Sequence, residues 1–203
     1  MSTPEAARVD GRTARRDRNR GAVLDAVHEA FVERGALPTM EDVAERSGVS
    51  LRSIYRYFSD TQQLLLAALA RRIALMEPLW QQPDLGAGSL DERVAALVSH
   101  RLWLYDENRP TIRAAFELAE STPDIAEQIQ RRRRQLLTQT CEQFTAELVL
   151  CSPEEADRRA TCIEVLCQFE SLELLRRTQG LSRDEVFAVL GTGVRAVVAA
   201  PPR

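Results

Sequence analysis

The sequence predicts an all-α protein of about nine helices: a small N-terminal three-helix head, followed by a larger helical unit. Three observations carry this. No segment alternates apolar and polar residues in the manner of a half-buried strand, and aromatic residues are only 5% of the chain. Apolar residues recur instead at three- and four-residue spacing, the period of a helix face. Helix-start signals also repeat along the whole length.

The elements follow in order. Val23, Leu24, Val27, Ala30 and Phe31 share one face of a first helix near 14–34, with Gly35 as its stop. Thr39-x-x-Asp42 opens a short helix near 39–46, and another runs near 50–57. Leu64 to Leu79 reads as a long apolar-faced helix near 61–79 that ends at Pro78. Gln81 to Gly88, with Pro83, Gly86 and Gly88, is a loop. Ser89-x-x-Glu92 starts a helix near 89–107, and a second follows near 109–120. Thr122-Pro123-Asp124 caps a helix near 123–150. Ser152-Pro153-x-Glu155 opens one near 153–178, which Gly180 closes, and Ser182-x-x-Glu185 opens the last, near 183–199.

Composition excludes several classes. With 203 residues, 44% apolar and 28% charged, the chain can bury its own core and has no disordered bias. The longest apolar run, Leu64 to Ala70, is too short to span a bilayer, and Met1 to Arg20 lacks a secretory core, so the expected location is the cytoplasm. Cys141, Cys151, Cys162 and Cys167 show no C-x-x-C spacing, and the two histidines, His28 and His100, lie in no metal or catalytic motif. No phosphate-binding glycine loop is present. No enzyme chemistry, metal or cofactor is expected.

Net charge is −3, and every basic residue is arginine. Arg8, Arg12, Arg15, Arg16, Arg18 and Arg20 crowd the start, suggesting a flexible basic arm over 1–15. The strongest signal follows it. Met40 to Arg46, then Ser47-Gly48-Val49-Ser50, then Leu51 to Tyr57 is helix-turn-helix grammar, with Gly48 supplying a left-handed turn conformation. The second helix carries Arg52, Ser53, Tyr55, Arg56 and Tyr57, side chains suited to phosphates and base edges.

Phe31-x-x-x-Gly35, Thr39-x-x-Asp42-Val43-Ala44, Gly48-Val49-Ser50, Tyr55-x-Tyr57-Phe58 and Leu64-Leu65 occur in this order over residues 16–66. Together they resemble the DNA-binding domain of TetR-family transcriptional regulators. The resemblance implies a helix-turn-helix domain over 16–60 and an effector-binding and dimerisation domain over 61–203. It implies a homodimer on double-stranded operator DNA, with a small-molecule effector and no membrane. It implies that Thr39 contacts phosphate, that Leu51, Arg52 and Ser53 face bases, that Tyr55 and Tyr57 touch backbone or bases, and that Arg18 and Arg20 approach flanking phosphates or the minor groove. Where the family commonly places lysine near the start of its fourth helix, this chain has Thr61, which weakens that contact unless Arg56 replaces it.

In the last helices, Cys162, Val165, Phe169 and Leu172 form a second stripe opposite Ile163, Leu166, Cys167 and Leu174. Phe187, Leu190 and Val194 lie on one face of the final helix, where Gly193 permits close approach of another backbone. These define an expected dimer interface. Arg101 and Glu170 both fall inside apolar stripes, so each needs a partner, either one another or a ligand. With Trp103, Phe116, Arg132 and Gln143 they are the candidate effector pocket. The run Arg131 to Arg134 points in four directions and reads as mostly solvated surface. The expected function is a ligand-responsive DNA-binding regulator, most simply a repressor released by its effector. The alternatives are a thiol redox sensor on the same fold and a protein-binding adapter without DNA.

Overall fold

The computed structural model describes residues 11–34 and 36–201, and among them there are helices and turns and no strand. Arg8 and Gly35 lie outside the described residues, as does the side chain of Arg12. Residues 11–15, expected in the arm, are part of the first helix, α1 (Gly11–Arg34).

The chain forms two compact units, Met1–Met76 and Glu77–Arg203. The first holds α1, α2 (Met40–Ser47), α3 (Leu51–Tyr57) and α4 (Thr61–Met76). The sequence places its boundary at residue 60; the unit instead runs to Met76, because α4 packs Leu64, Leu65 and Ala68 into the same core as α1. That core gathers Val23, Val27, Ala30 and Phe31 from α1 with Met40, Val43, Val49, Ile54 and Phe58. Ion pairs brace its rim: Arg34 with Asp42, Arg46 with Glu33, and Arg71 with Asp25 at 2.8 Å.

The second unit begins with a 3₁₀ turn (Glu77–Trp80) and continues through α5 (Leu90–Ala119), α6 (Pro123–Gln143), α7 (Thr145–Leu148), α8 (Pro153–Cys167), α9 (Phe169–Glu173), a π-helical turn (Leu174–Thr178) and α10 (Arg183–Val198). The capping boxes expected at Ser89 and Ser182 are both formed. Val94, Leu97, Leu102, Phe144, Ile163, Leu172, Val186, Leu190 and Val194 build one core.

Three breaks differ from the periodicity. Pro110 lies inside one continuous helix, α5, rather than between two; the Asn108 amide donates to the Leu104 carbonyl at 2.9 Å and supports the turn before the proline. The helix expected over 123–150 ends at Gln143, where fully buried Phe144 leaves helical geometry. The helix expected over 153–178 stops at Gln168, whose ψ of 159° is extended.

That last break overturns the expected dimer stripe. Leu172, Leu190 and Val194 are at most 2% exposed and belong to the chain's own core, so they present nothing to a partner. Phe169 turns inward, its ring 5.5 Å from Tyr105 and 5.4 Å from Phe116. Phe187 is half-buried against the same core. Val165 alone of the six remains open, 56% exposed, with Cys162 beside it on α8 and Val189 exposed on α10. Gly193 gives its space to Leu166 of the same chain: a Cβ there would lie 3.1 Å from the leucine's Cδ1.

Candidate nucleic-acid interface

The turn between α2 and α3 is built as its residues dictate. Thr39 caps α2 and shares a capping box with Asp42. Gly48 closes α2 with φ 66°, its N–H on the Ala44 carbonyl at 3.1 Å, and Ser50 then caps α3. The Asp42 carboxyl is held down to about 2 by the Thr39 N–H, the Arg34 guanidinium and the Thr39 hydroxyl.

α3 is divided cleanly between core and solvent. Ile54, and Phe58 just past the helix end, are buried, whereas Arg52, Tyr55 and Arg56 point outward, Tyr55 being 51% exposed. The exposed set combines two cations with one phenol on a short helix, the chemistry of a phosphate and base-edge reader. Leu51 and Ser53 are half-buried, and the Ser53 hydroxyl accepts from the Ser50 hydroxyl at 3.0 Å. Tyr57 packs edge-on against Phe58 at 6.4 Å, and the Arg56 guanidinium lies 5.4 Å from the Tyr57 ring.

The flanking residues sort differently. Arg18 is exposed, and Arg20 stacks its guanidinium 5.5 Å from the Phe58 ring, which ties α1 to the end of α3. The Thr39 hydroxyl donates to Asp42 at 2.9 Å, so its proton is already committed within the cap. Thr61 is half-buried at the start of α4. Asp60, which the sequence reading passed over, takes the Gln63 N–H at 2.8 Å and the Ser59 hydroxyl at 2.7 Å. Those hydrogen bonds hold its carboxyl below the usual range. The start of α4 therefore carries a negative charge one residue before Thr61, the position where the resemblance leads one to expect a lysine. The pattern Asp60-x-x-Gln63 was the available signal.

The candidate pocket residues of the second unit do not converge. Arg101, 3% exposed, pairs with Glu164 at 2.8 Å, not with Glu170. Thr140 donates to the same Glu164 oxygen at 2.6 Å. Glu170 pairs with Arg133 at the surface. Arg132 pairs with Glu77 at 2.9 Å and lies 4.3 Å over the Trp80 ring, and Arg131 pairs with Glu127 at 3.4 Å, so three of the four successive arginines are engaged and Arg134 is solvated. Gln143 is structural: it takes the Gly86 N–H at 2.9 Å and donates to the Arg93 carbonyl at 2.8 Å. Trp103 stacks on His100 at 6.1 Å, and Phe116 packs on Phe169. Sequence spacing missed Glu164 because it lies 63 residues from its partner.

The four cysteines are free thiols. Burial pushes Cys167 up to about 12 and raises Cys141 as well, which suits packing rather than redox reactivity. No described helix is long and apolar enough to cross a membrane.

Comparison with known proteins gives the same head. Residues 23–68 match the family model described as bacterial regulatory proteins, tetR family. Over 71 residues, 34% of this chain and 32% of the relative, the sequence is 38% identical to the HTH-type transcriptional activator FasR of Mycolicibacterium smegmatis. A transcriptional regulator from Saccharomonospora viridis, solved in complex with choline, superposes with a TM-score of 0.67 at 19% identity, covering 88% of this chain and 96% of the other. A tetR-family regulator from Streptomyces coelicolor does so with a TM-score of 0.67 at 21% identity, covering 92% and 81%. At these identities the structural likeness is one of fold. The family and these relatives are transcriptional regulators, not enzymes.

Proposed function

We propose that this chain, which belongs to the TetR family of bacterial regulatory proteins, is a sequence-specific DNA-binding regulator working in the cytoplasm as a homodimer, a repressor that leaves its operator when a small effector binds the second unit. The observation that carries the reading is the outward set Arg52, Tyr55 and Arg56 on the second helix of a helix-turn-helix whose turn is set by left-handed Gly48. Two such heads read half-sites about 34–36 Å apart, or a multiple of that. Val165 on α8 and Val189 on α10 supply the exposed apolar surface for a second copy.

For the effector, the supporting feature is a set of buried polar atoms carried by residues of α5 and α6. Arg101 Nε and Nη1, Asn108 Oδ1, Thr111 Oγ1 and Gln139 Oε1 have no protein partner. Such groups call for a bound partner, and the open guanidinium donors favour a ligand bearing acceptor oxygens. The Saccharomonospora viridis regulator holds choline, which supports a small-molecule role for this fold. The open donors of Arg101 argue for a different ligand class here. The matched relative is named an activator, and the head serves either sign of regulation.

The test is fluorescence anisotropy against DNA flanking the protein's own gene, titrated with salt. Tight binding that survives competitor DNA and weakens steeply with salt supports the reading. Equal, weak binding to all DNA would overturn it in favour of a protein-binding adapter. Transcription in vitro from a bound promoter then decides repression against activation.

A further inference from the structure

Between α5, the π-helical turn and the start of α10 the second unit opens a cleft of about 430 Å³, lined by Tyr105, Arg109, Arg176, Arg177, Leu181 and Glu185 among others. None of the residues expected to hold the effector lines it. The π-helical turn makes it. The Gln179 N–H reaches back to the Leu174 carbonyl at 2.9 Å and encloses one residue more than an α turn does. Gly180 at φ 72° then lets the chain reverse into α10. Arg176 and Arg177 are thereby brought to the cleft wall.

The charges around the cleft do not balance locally. Glu173 is satisfied by Arg109, at 2.5 and 3.2 Å, and by the Tyr105 hydroxyl at 2.6 Å. Burial, then the hydrogen bond to Glu173, pushes that tyrosine up to about 12, so it stays a neutral donor. Asp106 pairs with Arg183 at 3.2 Å. Glu185 takes the Ser182 N–H at 2.7 Å in the capping box of α10. Arg176 spends Nη1 on the Leu181 carbonyl at 3.0 Å, and among the described residues neither Arg176 nor Arg177 meets a carboxylate. Two guanidiniums without a carboxylate partner therefore share the cleft with one carboxylate, Glu185, which caps α10 and pairs with no cation among the described residues, and positive charge remains in excess.

We propose that this cleft binds a small phosphate monoester. A phosphate group offers three oxygens, which suit Arg177 and the open donors of Arg176 together. Arg109, neutralised and held by Glu173, is a fixed polar wall, and the volume leaves room for an organic body beside the phosphate. Its lining residues all belong to the second unit, and none is among the unpartnered groups of the effector set.

Isothermal titration of the full chain with glycerol 3-phosphate, at ionic strength held constant with chloride, tests this. Saturable binding is expected, and Arg177→Gln should weaken it about tenfold, the scale of one lost charge-assisted hydrogen bond. Arg131→Gln, an exposed arginine on α6, should leave it unchanged. Both variants should melt as the parent does, since Arg177 makes no described bond within the fold. Absence of saturation, or equal affinity in Arg177→Gln, would overturn the site. Tighter binding of succinate than of glycerol 3-phosphate would overturn the phosphate class. Neither outcome depends on whether an operator is found.

Discussion

Arg101 and Glu164 meet at 2.8 Å in the interior of the second unit, their side chains 3% and 9% exposed. A buried pair of this kind adds little net stability over an apolar isostere, but losing one member leaves a bare buried charge. Arg101→Ala or Glu164→Ala should each lower unfolding free energy by about 3–5 kcal/mol in urea melts, whereas Arg101→Met with Glu164→Leu should recover most of it. Small and additive single losses would show that water already screens the pair.

On the head, Arg52→Ala and Tyr55→Ala should each cost about 1–3 kcal/mol of operator affinity. Both side chains point into solvent, so melting temperature and oligomeric state should not move. If Arg52 grips a phosphate, its loss should also reduce the salt slope by about one unit; if it reads a base, the slope should hold and specificity should relax. Unchanged affinity in both variants would remove α3 from the interface.

The dimer face makes a two-sided prediction. Val165→Asp or Val189→Asp should yield a folded monomer by light scattering, because each places a charge on an exposed apolar surface. Val194→Asp should unfold the chain, because Val194 is wholly buried. A dimer that survives Val165→Asp together with Val189→Asp would require another interface.

Acid should act in two stages. Burial, with Arg101 nearby, lowers His100 from 6.5, and burial, with Arg72 nearby, lowers His28. The unfolded chain then binds more protons just below pH 6.5, so this stabilisation is complete above that value and is lost as pH falls toward the folded values. Asp42 contributes above its ordinary 3.8 and loses that contribution as pH falls toward about 2. Urea midpoints should drop as pH falls below the ordinary histidine value of 6.5, and His28→Gln with His100→Gln should flatten that drop. An unaltered drop would assign it to other groups.

Gly48 tests the turn. Its φ of 66° is costly for a side chain, although a Cβ there would meet no neighbour within 4 Å. Gly48→Ala should cost about 1 kcal/mol of head stability by conformation alone, and Gly48→Asn less. A larger loss would mean that the turn also packs against something.

The head was legible because its signals are local. Thr39 with Asp42, Gly48 and Ser50 each act within four residues, and each forms the cap or turn that its chemistry predicts. The second unit was legible in its helices but not in their interruptions. Gln168 and Phe144 carry no glycine or proline signal, yet both leave helical geometry, and Pro110, which does carry one, sits within an unbroken helix. A periodicity argument assumes a continuous helix, so it put Phe169 and Leu172 on one stripe with Val165, from which the break at Gln168 separates them. The partners of Arg101 and Glu170 were likewise out of reach, since Glu164 and Arg133 are brought in only by tertiary packing.

The π-helical turn at Leu174–Thr178 also has an evolutionary reading. It behaves as a one-residue insertion absorbed without lengthening a loop. A relative with an uninterrupted helix there would fall out of phase by one position, about 100° of rotation. The residues written beneath Arg176 and Arg177 in an alignment would then point elsewhere in space. Deleting one residue would erase the cationic wall while leaving every arginine in the chain.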